Sequence, residues 1–283
     1  MIPPIAIGAV GGSGTRVIAD FLIKAGIHMG QELNSANDNL WFTFLFKRPR
    51  WFASFPEAAE IHSAMALFQK ASTVGLRGTI TASEEALLQQ IAAELRSTSR
   101  PIGIGADCIE RLLASQRVSA KPDEAWGWKE PNTQIFLPEL ARCVPGFRYI
   151  HVLRNGFDMA FSRNTQQARN WSGSLFESPL AGEAISQEQI LDYWIAANRR
   201  TLSQGQSLLG SRFFVLCYEA LCDHPEREIQ RLFDFLDRPI PKTVHPDQIK
   251  PRSRGRYLEQ DLSRFTPAQK DAVAEIMTAA ETS

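Results

Sequence analysis

Short apolar segments alternate with amphipathic segments along most of this chain. Residues 5–10 and 147–153 are dominated by aliphatic, aromatic and β-branched side chains, which is typical of buried strands. Residues 225–236 instead repeat their apolar positions at helical spacing, so one face of a helix there is apolar. Because such strands and helices alternate, the sequence predicts an α/β fold with a central, mainly parallel sheet.

The same pattern sets expected bounds for the other elements. Further strands are predicted at 102–106, 125–129 and 212–217, and helices at 15–26, 41–69, 83–96, 132–143, 156–165, 187–209, 225–236 and from about 267 onward. Ser83 is a candidate N-cap. Residues 166–186 are predicted as a loop, and residues 239–257 are basic and irregular. We expect one domain over residues 1–283, with a helical insertion at about 40–100.

Composition narrows the class of protein. Of the 283 residues 44% are hydrophobic, enough for one large core, and 31 Lys and Arg balance 31 Asp and Glu. This neutral balance gives no indication of nucleic-acid binding. The four cysteines and five histidines lack disulfide-framework or metal-ligand spacing, so no metal site is expected. No basic or long apolar segment precedes residue 5, which predicts a cytoplasmic protein.

The most informative motif follows the first predicted strand. Residues 8–16, Gly-Ala-Val-Gly-Gly-Ser-Gly-Thr-Arg, contain four glycines and lead into a helix. Backbone N–H groups in such a turn, together with a helix N-terminus, can hold a phosphate-like group. A plain strand-to-helix turn is the alternative. A Walker loop requires Lys after its last glycine, but Thr15 stands there, so ordinary nucleotide triphosphate chemistry is disfavoured.

A second anion site is indicated at the end of the strand 147–153. Arg154 follows that strand, and Ser162 comes eight residues later. Ligands of open α/β sheets bind at the carboxyl ends of the strands, where Arg and Ser suit a phosphate. Spacing alone leaves open a surface Arg and an ordinary helical Ser.

Five segments, in order from about residue 5 to 257, together resemble the PAPS-dependent sulfotransferases, whose donor is 3′-phosphoadenosine 5′-phosphosulfate (PAPS). The glycine loop resembles their 5′-phosphosulfate loop, and Arg154 with Ser162 resembles their 3′-phosphate motif. Residues 128–131, Trp-Lys-Glu-Pro, resemble the Lys-acid-Pro segment of the carbohydrate and tyrosylprotein branches. Residues 214–221 and 252–257 are similar to their Tyr-Glu-x-Leu stretch and their C-terminal basic-glycine element.

The resemblance implies a P-loop NTPase-like three-layer fold with a helical lobe on the acceptor side. It implies PAPS as donor, adenosine 3′,5′-bisphosphate (PAP) as product, and no metal. The residues implied at the 5′-phosphosulfate are Gly11, Gly12, Ser13, Gly14, Thr15 and Arg16. Those implied at the 3′-phosphate are Arg154, Ser162, Arg254 and Gly255, with Tyr218 near the adenosine. Lys129 is implied at the bridging oxygen that leaves with PAP.

The chain departs from the family pattern in ways that affect catalysis. Gly12 stands where the family loop usually has Lys or Arg, so the cation must come from elsewhere, with Arg16 and Lys129 as candidates. Pro131 replaces the catalytic His of the cytosolic aryl branch, which favours a carboxylate base. Glu32 and Asp38 fall in the expected window; both could also be ordinary loop acids. Asn155-Gly156 replaces the frequent Asp-Pro, which is expected to change only the turn.

Several questions stay open at this point. The aromatic block 41–55 fits core packing, an acceptor-pocket wall or an interfacial patch at a membrane surface. The acceptor hydroxyl or amine belongs to a carbohydrate, a glycolipid or another small molecule, with carbohydrate preferred. A P-loop kinase and a non-catalytic nucleotide- or glycan-binding relative are the alternative functions. The oligomeric state cannot be inferred from the sequence.

Overall fold

The computed structural model describes residues 2–97, 104, 106–115, 124–180, 184–251 and 254–281. Its centre is a parallel sheet in the order β2-β1-β3-β4. The strands are β1 (Ile5–Ala9), β2 (Gly127–Lys129), β3 (Arg148–Leu153) and β4 (Phe213–Cys217). The predicted α/β class with a parallel sheet is confirmed. Of the predicted strand 102–106, residues 102, 103 and 105 lie outside the described residues, and Ala106 begins a helix.

Helices lie between successive strands and after the last strand. They are α1 (Thr15–Lys24), α2 (Leu40–Phe46), α3 (Pro49–Ala53), α4 (Ala58–Ser72), α5 (Ala82–Ser97), α6 (Ala106–Ser115), α7 (Leu137–Cys143), α8 (Gly156–Ala160), α9 (Gln166–Trp171), α10 (Gln187–Leu209), α11 (Tyr218–Asp223), α12 (Pro225–Phe235) and α13 (Pro267–Glu281). Short 3₁₀ segments cover Pro131–Phe136, Ser172–Ser174, Gly210–Arg212, Pro246–Gln248 and Arg256–Glu259.

The core lies on both faces of the sheet. Alternate residues of β1 point to opposite faces, and Ile5 and Ile7 pack with apolar side chains of α1 and α12. Ala6 packs on the other side with side chains of α2, α4, α7, α10 and α13. This arrangement forms three layers and confirms the P-loop-like architecture predicted above.

The predicted helix 41–69 is divided among α2, α3 and α4, and its aromatic block 41–55 lies on α2, α3 and the turn that follows α3. Pro49 disfavours helical geometry at Arg48, the residue before it. The helix α2 accordingly ends at Phe46, and Lys47 and Arg48 separate it from α3. All seven side chains of α2 are buried, so this part of the block is core. Phe52 packs against Phe136 and Trp171, whereas Phe55 is 90% exposed.

Other predicted bounds need correction. Thr81, not Ser83, caps α5, because the Thr81 hydroxyl accepts the N–H of Glu84 and the Glu84 carboxylate accepts the N–H of Thr81. The helix predicted at 156–165 ends at Ala160. The predicted loop 166–186 contains α9, and the helix predicted at 132–143 starts with a 3₁₀ segment. These differences arise from capping and tertiary contacts that periodicity does not report.

His151 lies in β3, in the interior of the fold, with a polar partner near each ring nitrogen. It is fully buried; Nε2 lies 2.8 Å from Asn198 Oδ1, and Nδ1 lies 3.3 Å from the Tyr149 hydroxyl. Burial lowers the pKa of His151 to about 4, although the hydrogen bond to Asn198 acts in the opposite direction. The imidazole is therefore neutral at pH 7.

His151 should make folding stability depend on pH. Its folded pKa of about 4 lies below the ordinary value of 6.5, so its contribution is complete above pH 6.5 and is lost as the pH falls toward 4. The loss approaches about 1.4 kcal/mol per pH unit. We expect His151→Gln to show a flatter profile in urea unfolding measured from pH 7 to 4. Parallel profiles for the two proteins would contradict this assignment.

Candidate functional site

The glycine loop connects β1 to α1 and has the geometry that glycine permits. Gly12 and Gly14 have φ of 101° and 92°, in the left-handed region. A Cβ on Gly14 would lie 2.5 Å from two ring carbons of Tyr218, so a side chain there is excluded by space as well as by backbone conformation. The loop and Tyr218 are therefore in direct contact, although they are far apart in sequence.

Gln167 holds the loop from the side. Its Oε1 accepts the N–H of Gly11 at 2.7 Å, and its Nε2 donates to the Ala9 carbonyl and to Asn132 Oδ1. Within the loop, the buried Ser13 hydroxyl donates to the Val10 carbonyl at 2.6 Å. These contacts fix the loop backbone, and the Ser13 hydroxyl proton is used for that purpose.

A cleft of about 350 Å³ opens beside the loop. Its walls come from residues 11, 12, 14–16, 36, 38, 129–132, 164, 166 and 167, together with Lys47. The glycine loop and residues 129–132 meet there because β1 and β2 are parallel neighbours, with Ile7 in register with Lys129. The predicted Lys129 and the predicted loop thus line the same cleft.

Lys129 is buried and bonded at the cleft wall. Its Nζ donates to Asp38 Oδ1 at 2.5 Å and to the Ala36 carbonyl at 2.9 Å. Asn34 shapes that wall, because its Oδ1 accepts the N–H groups of Ala36 and Asp38. The fold thus places the Lys129 ammonium and the Asp38 carboxylate together near the glycine loop.

The two candidate bases lie in different surroundings. Asp38 lines the cleft and pairs with Lys129. Glu32 pairs with Arg111, whose Nε lies 3.3 Å from Glu32 Oε2. The structure therefore brings Asp38, but not Glu32, into the lining of the cleft.

Sequence reasoning missed a second acid–base pair in the cleft. Glu130 is buried, and its carboxylate accepts the backbone and side-chain N–H groups of Asn132 at 2.6 and 2.9 Å. Lys47 Nζ lies 3.8 Å from Glu130 Oε1. Burial raises the pKa of Glu130; Lys47 lowers it and Asp38 raises it further. The sequence signal that could have pointed to Lys47 is the position of a basic residue directly after the apolar segment of α2.

Arg154 lies at the second predicted anion site and touches the first. Its Nη1 donates to the Gly12 carbonyl at 3.2 Å, and its Nη2 donates to Asp158 Oδ2 at 3.0 Å. Its guanidinium carbon lies 5.2 Å from the centre of the Tyr218 ring. Arg154, the glycine loop and Tyr218 are thus in direct contact, which spacing alone could not establish.

The other predicted residues of this site have separate partners, one of which is Asp158, a residue that the sequence reasoning did not single out. The fully buried Asp158 carboxylate accepts the N–H of Gly255 at 2.9 Å, which ties the C-terminal segment to α8. Arg254 pairs with Asp223. Ser162 lies beyond the end of α8, and its hydroxyl accepts the N–H of Asn164. Arg252 and Ser253 of the predicted C-terminal element lie outside the described residues.

A second cleft, of about 480 Å³, adjoins the first. Gly14 and Arg16 line both clefts, and Arg16 is exposed. Tyr218, Gln248 and Lys250 line the second. The two clefts therefore meet at Gly14 and Arg16, with Tyr218 in the lining of one and Lys129 in the lining of the other.

The described ranges hold neither a metal-ligand cluster nor a helix that could span a membrane. Among those residues, no group of three or more His, Cys, Asp or Glu is placed to hold a metal ion. None of the helices that the structure describes is both long and apolar enough to cross a bilayer.

Comparison with known proteins places this chain in a family. The sequence matches the profile of the Sulfotransferase family over residues 4–242. The chain therefore belongs to the sulfotransferase family, and the resemblance found in the sequence is confirmed. Membership supports sulfuryl transfer as the general chemistry.

Two relatives illustrate the extent of the likeness. A Caenorhabditis briggsae protein named "Putative protein-tyrosine sulfotransferase" is 31% identical over 110 residues, 38% of this chain. The match spans only 35% of that relative's length. The solved "Sulfotransferase Domain from the Curacin Biosynthetic Pathway" is 13% identical, with 98% of both chains covered and a TM-score of 0.53. At that identity the solved structure supports the fold alone.

Proposed function

We propose that this protein transfers a sulfuryl group from PAPS to a hydroxyl or amine of an acceptor. The observation that carries the proposal is the contact of Arg154 with the glycine loop at Gly12 and with Tyr218. With this contact, Arg154 would bind a second phosphate group beside the phosphate expected at the glycine loop. PAPS carries a 3′-phosphate in addition to its 5′-phosphosulfate, whereas ATP has no 3′-phosphate.

The residues present fit PAPS. Backbone N–H groups of Gly12–Thr15 and the N-terminus of α1 suit the 5′-phosphosulfate. The Gly14 position accepts a close neighbour only because it has no Cβ. Arg154, Ser162, Arg254 and Gly255 would hold the 3′-phosphate, with Tyr218 beside the adenosine. Bound there, PAPS would supply an activated sulfuryl group to the cleft that Lys129 lines.

The cleft offers one group for the leaving oxygen of the donor and another for the proton of the acceptor. Lys129 would neutralise negative charge on the bridging oxygen as the sulfur–oxygen bond breaks, a role suited to a buried ammonium. Asp38 would accept the proton of the acceptor as its oxygen or nitrogen bonds to sulfur. Arg16, exposed at the junction of the two clefts, would attract the anionic donor.

The two candidate bases make a matched pair for testing. We expect Asp38→Asn to slow transfer by about 10²-fold or more, because general-base catalysis contributes this much. Glu32→Gln should stay close to the wild-type rate, because its carboxylate pairs with Arg111. Rates at saturating PAPS, measured from pH 5.5 to 8.5, check both expectations. A large loss in Glu32→Gln with Asp38→Asn unaffected would assign the base to Glu32.

The acceptor is proposed by class only. The proposed classes are a carbohydrate, a glycolipid and a small molecule with a hydroxyl, and carbohydrate is preferred because Pro131 replaces the catalytic His of the aryl branch. The name of the nematode relative adds a tyrosine hydroxyl to the acceptors worth testing. We propose a cytoplasmic site of action and no bound metal.

Donor choice tests the proposed function. The protein is incubated either with chelator and PAPS labelled in the sulfuryl group, or with Mg²⁺ and ATP labelled in the terminal phosphate, because phosphoryl transfer from ATP requires the metal. The acceptors are sugars, glycolipids, phenols, tyrosine peptides and water. We expect label to leave PAPS and not ATP. Transfer from ATP would favour the kinase, and PAP binding without any turnover of PAPS would favour a non-catalytic relative.

A further inference from the structure

The glycine loop has no cation of its own where this family usually provides one. Gly12 stands at that position and lines the cleft. A phosphosulfate bound there carries negative charge on the terminal oxygens as well as on the bridging oxygen. Lys129 can neutralise only part of that negative charge, because its ammonium also donates hydrogen bonds to the Ala36 carbonyl and to Asp38.

Lys47 reaches the same cleft from a different element. It is the C-cap residue of α2, and its N–H donates to the Thr43 carbonyl at 3.0 Å. Since every side chain of α2 is buried, the backbone at Lys47 is anchored by the hydrophobic core. The Lys47 side chain is only 13% exposed, so its ammonium is held in the cleft rather than in bulk water.

The contact of Lys47 with Glu130 does not use up its hydrogen-bonding capacity. The distance of 3.8 Å from Nζ to Oε1 is longer than a hydrogen bond, so the contact is purely electrostatic. The Glu130 carboxylate already accepts two N–H groups from Asn132. An anion entering the cleft can therefore bind the Lys47 ammonium without breaking a hydrogen bond to Glu130.

The position of Lys47 indicates which part of the donor it meets. Tyr218 lines the second cleft, where the adenosine is proposed, and Gly14 lies at the junction of the two clefts. Lys47 and Lys129 line the first cleft. A donor extended from Tyr218 across the loop would end with its terminal group in the first cleft.

We propose that Lys47 binds the terminal sulfuryl oxygens of the donor and so favours PAPS over the product PAP. This inference rests on the proposed function. Lys47 would supply, from the end of α2, the charge that the loop lacks at Gly12. Once the sulfuryl group has gone, Lys47 loses that contact, which weakens the hold on the product.

Affinities for the two nucleotides test this proposal directly. Dissociation constants for PAPS and PAP are measured in chelator with the wild type, Lys47→Met and Lys47→Arg. The matched control is Lys242→Met, at an exposed lysine outside the proposed machinery. We expect Lys47→Met to weaken PAPS binding by about tenfold and PAP binding by less than about threefold, because a charged hydrogen bond is lost only with PAPS. Lys47→Arg should restore most of the preference, and Lys242→Met should match the wild type.

The outcomes separate this proposal from the wider one. Retained PAP binding by Lys47→Met shows that the variant is folded. Equal weakening of both nucleotides, or no change in either, would overturn the role of Lys47 while leaving the donor assignment intact. Failure of the wild type to bind either nucleotide would instead contradict the proposed function itself.

Discussion

Arg154→Ala is expected to weaken the binding of PAP by about 2–4 kcal/mol, which is the cost of removing one partner of a desolvated charge pair. This corresponds to roughly a 30- to 1000-fold higher dissociation constant. Arg154 is only 3% exposed and bonded to the loop at Gly12, so its contact with a 3′-phosphate would be shielded from water.

The comparison with adenosine 5′-monophosphate separates phosphate recognition from damage to the fold. This nucleotide lacks the 3′-phosphate, so its affinity should change far less than that of PAP in Arg154→Ala. Arg199→Ala, at an exposed residue paired with Glu275 on α13, is the control and should leave both affinities unchanged. An unaltered preference for PAP in Arg154→Ala would refute the assignment of Arg154.

Lys129→Met is expected to lower the rate of sulfuryl transfer by about 10²–10³-fold, the usual cost of removing one preorganised group at developing charge. Its ammonium is fixed by Asp38 and the Ala36 carbonyl before the donor binds, so little reorganisation is needed in the transition state. Single-turnover measurement of PAP release from PAPS, with water or an acceptor, checks this without knowledge of the natural acceptor.

The affinity for PAP provides the control for Lys129. We expect it to fall much less than the rate in Lys129→Met, because the contact strengthens as the bridging oxygen gains charge. Lys129→Arg should recover part of the rate, since the positive charge is kept but its geometry changes. A wild-type rate in Lys129→Met would move the leaving-group role to another cation, with Arg16 the next to test.

The parts of the fold that were predictable depend on local patterns. The loop at 8–16 and the apolar strand 147–153 are contiguous, so composition and periodicity reveal them. The helix break before Pro49 and the cap at Thr81 are also local, but a broad helical window obscures them.

The parts that could not be predicted depend on contacts across the fold. Gln167 reaches Gly11 from 156 residues away, and Lys47 meets Glu130 only because α2 packs beside β2. No feature of the sequence singles out Asp158, yet its carboxylate accepts hydrogen bonds from both Arg154 and Gly255. Sequence motifs predicted the anion sites, and only the fold showed which charges meet at those positions.

Titration calorimetry with PAP and with ATP, both without divalent metal, tests the central claim most directly. We predict that PAP binds and that ATP binds at least about a hundredfold more weakly, because the Arg154 site discriminates by a desolvated charge contact. PAP should also be preferred over adenosine 5′-monophosphate. Equal or tighter binding of ATP would contradict the assignment of a PAPS-type donor to this glycine loop.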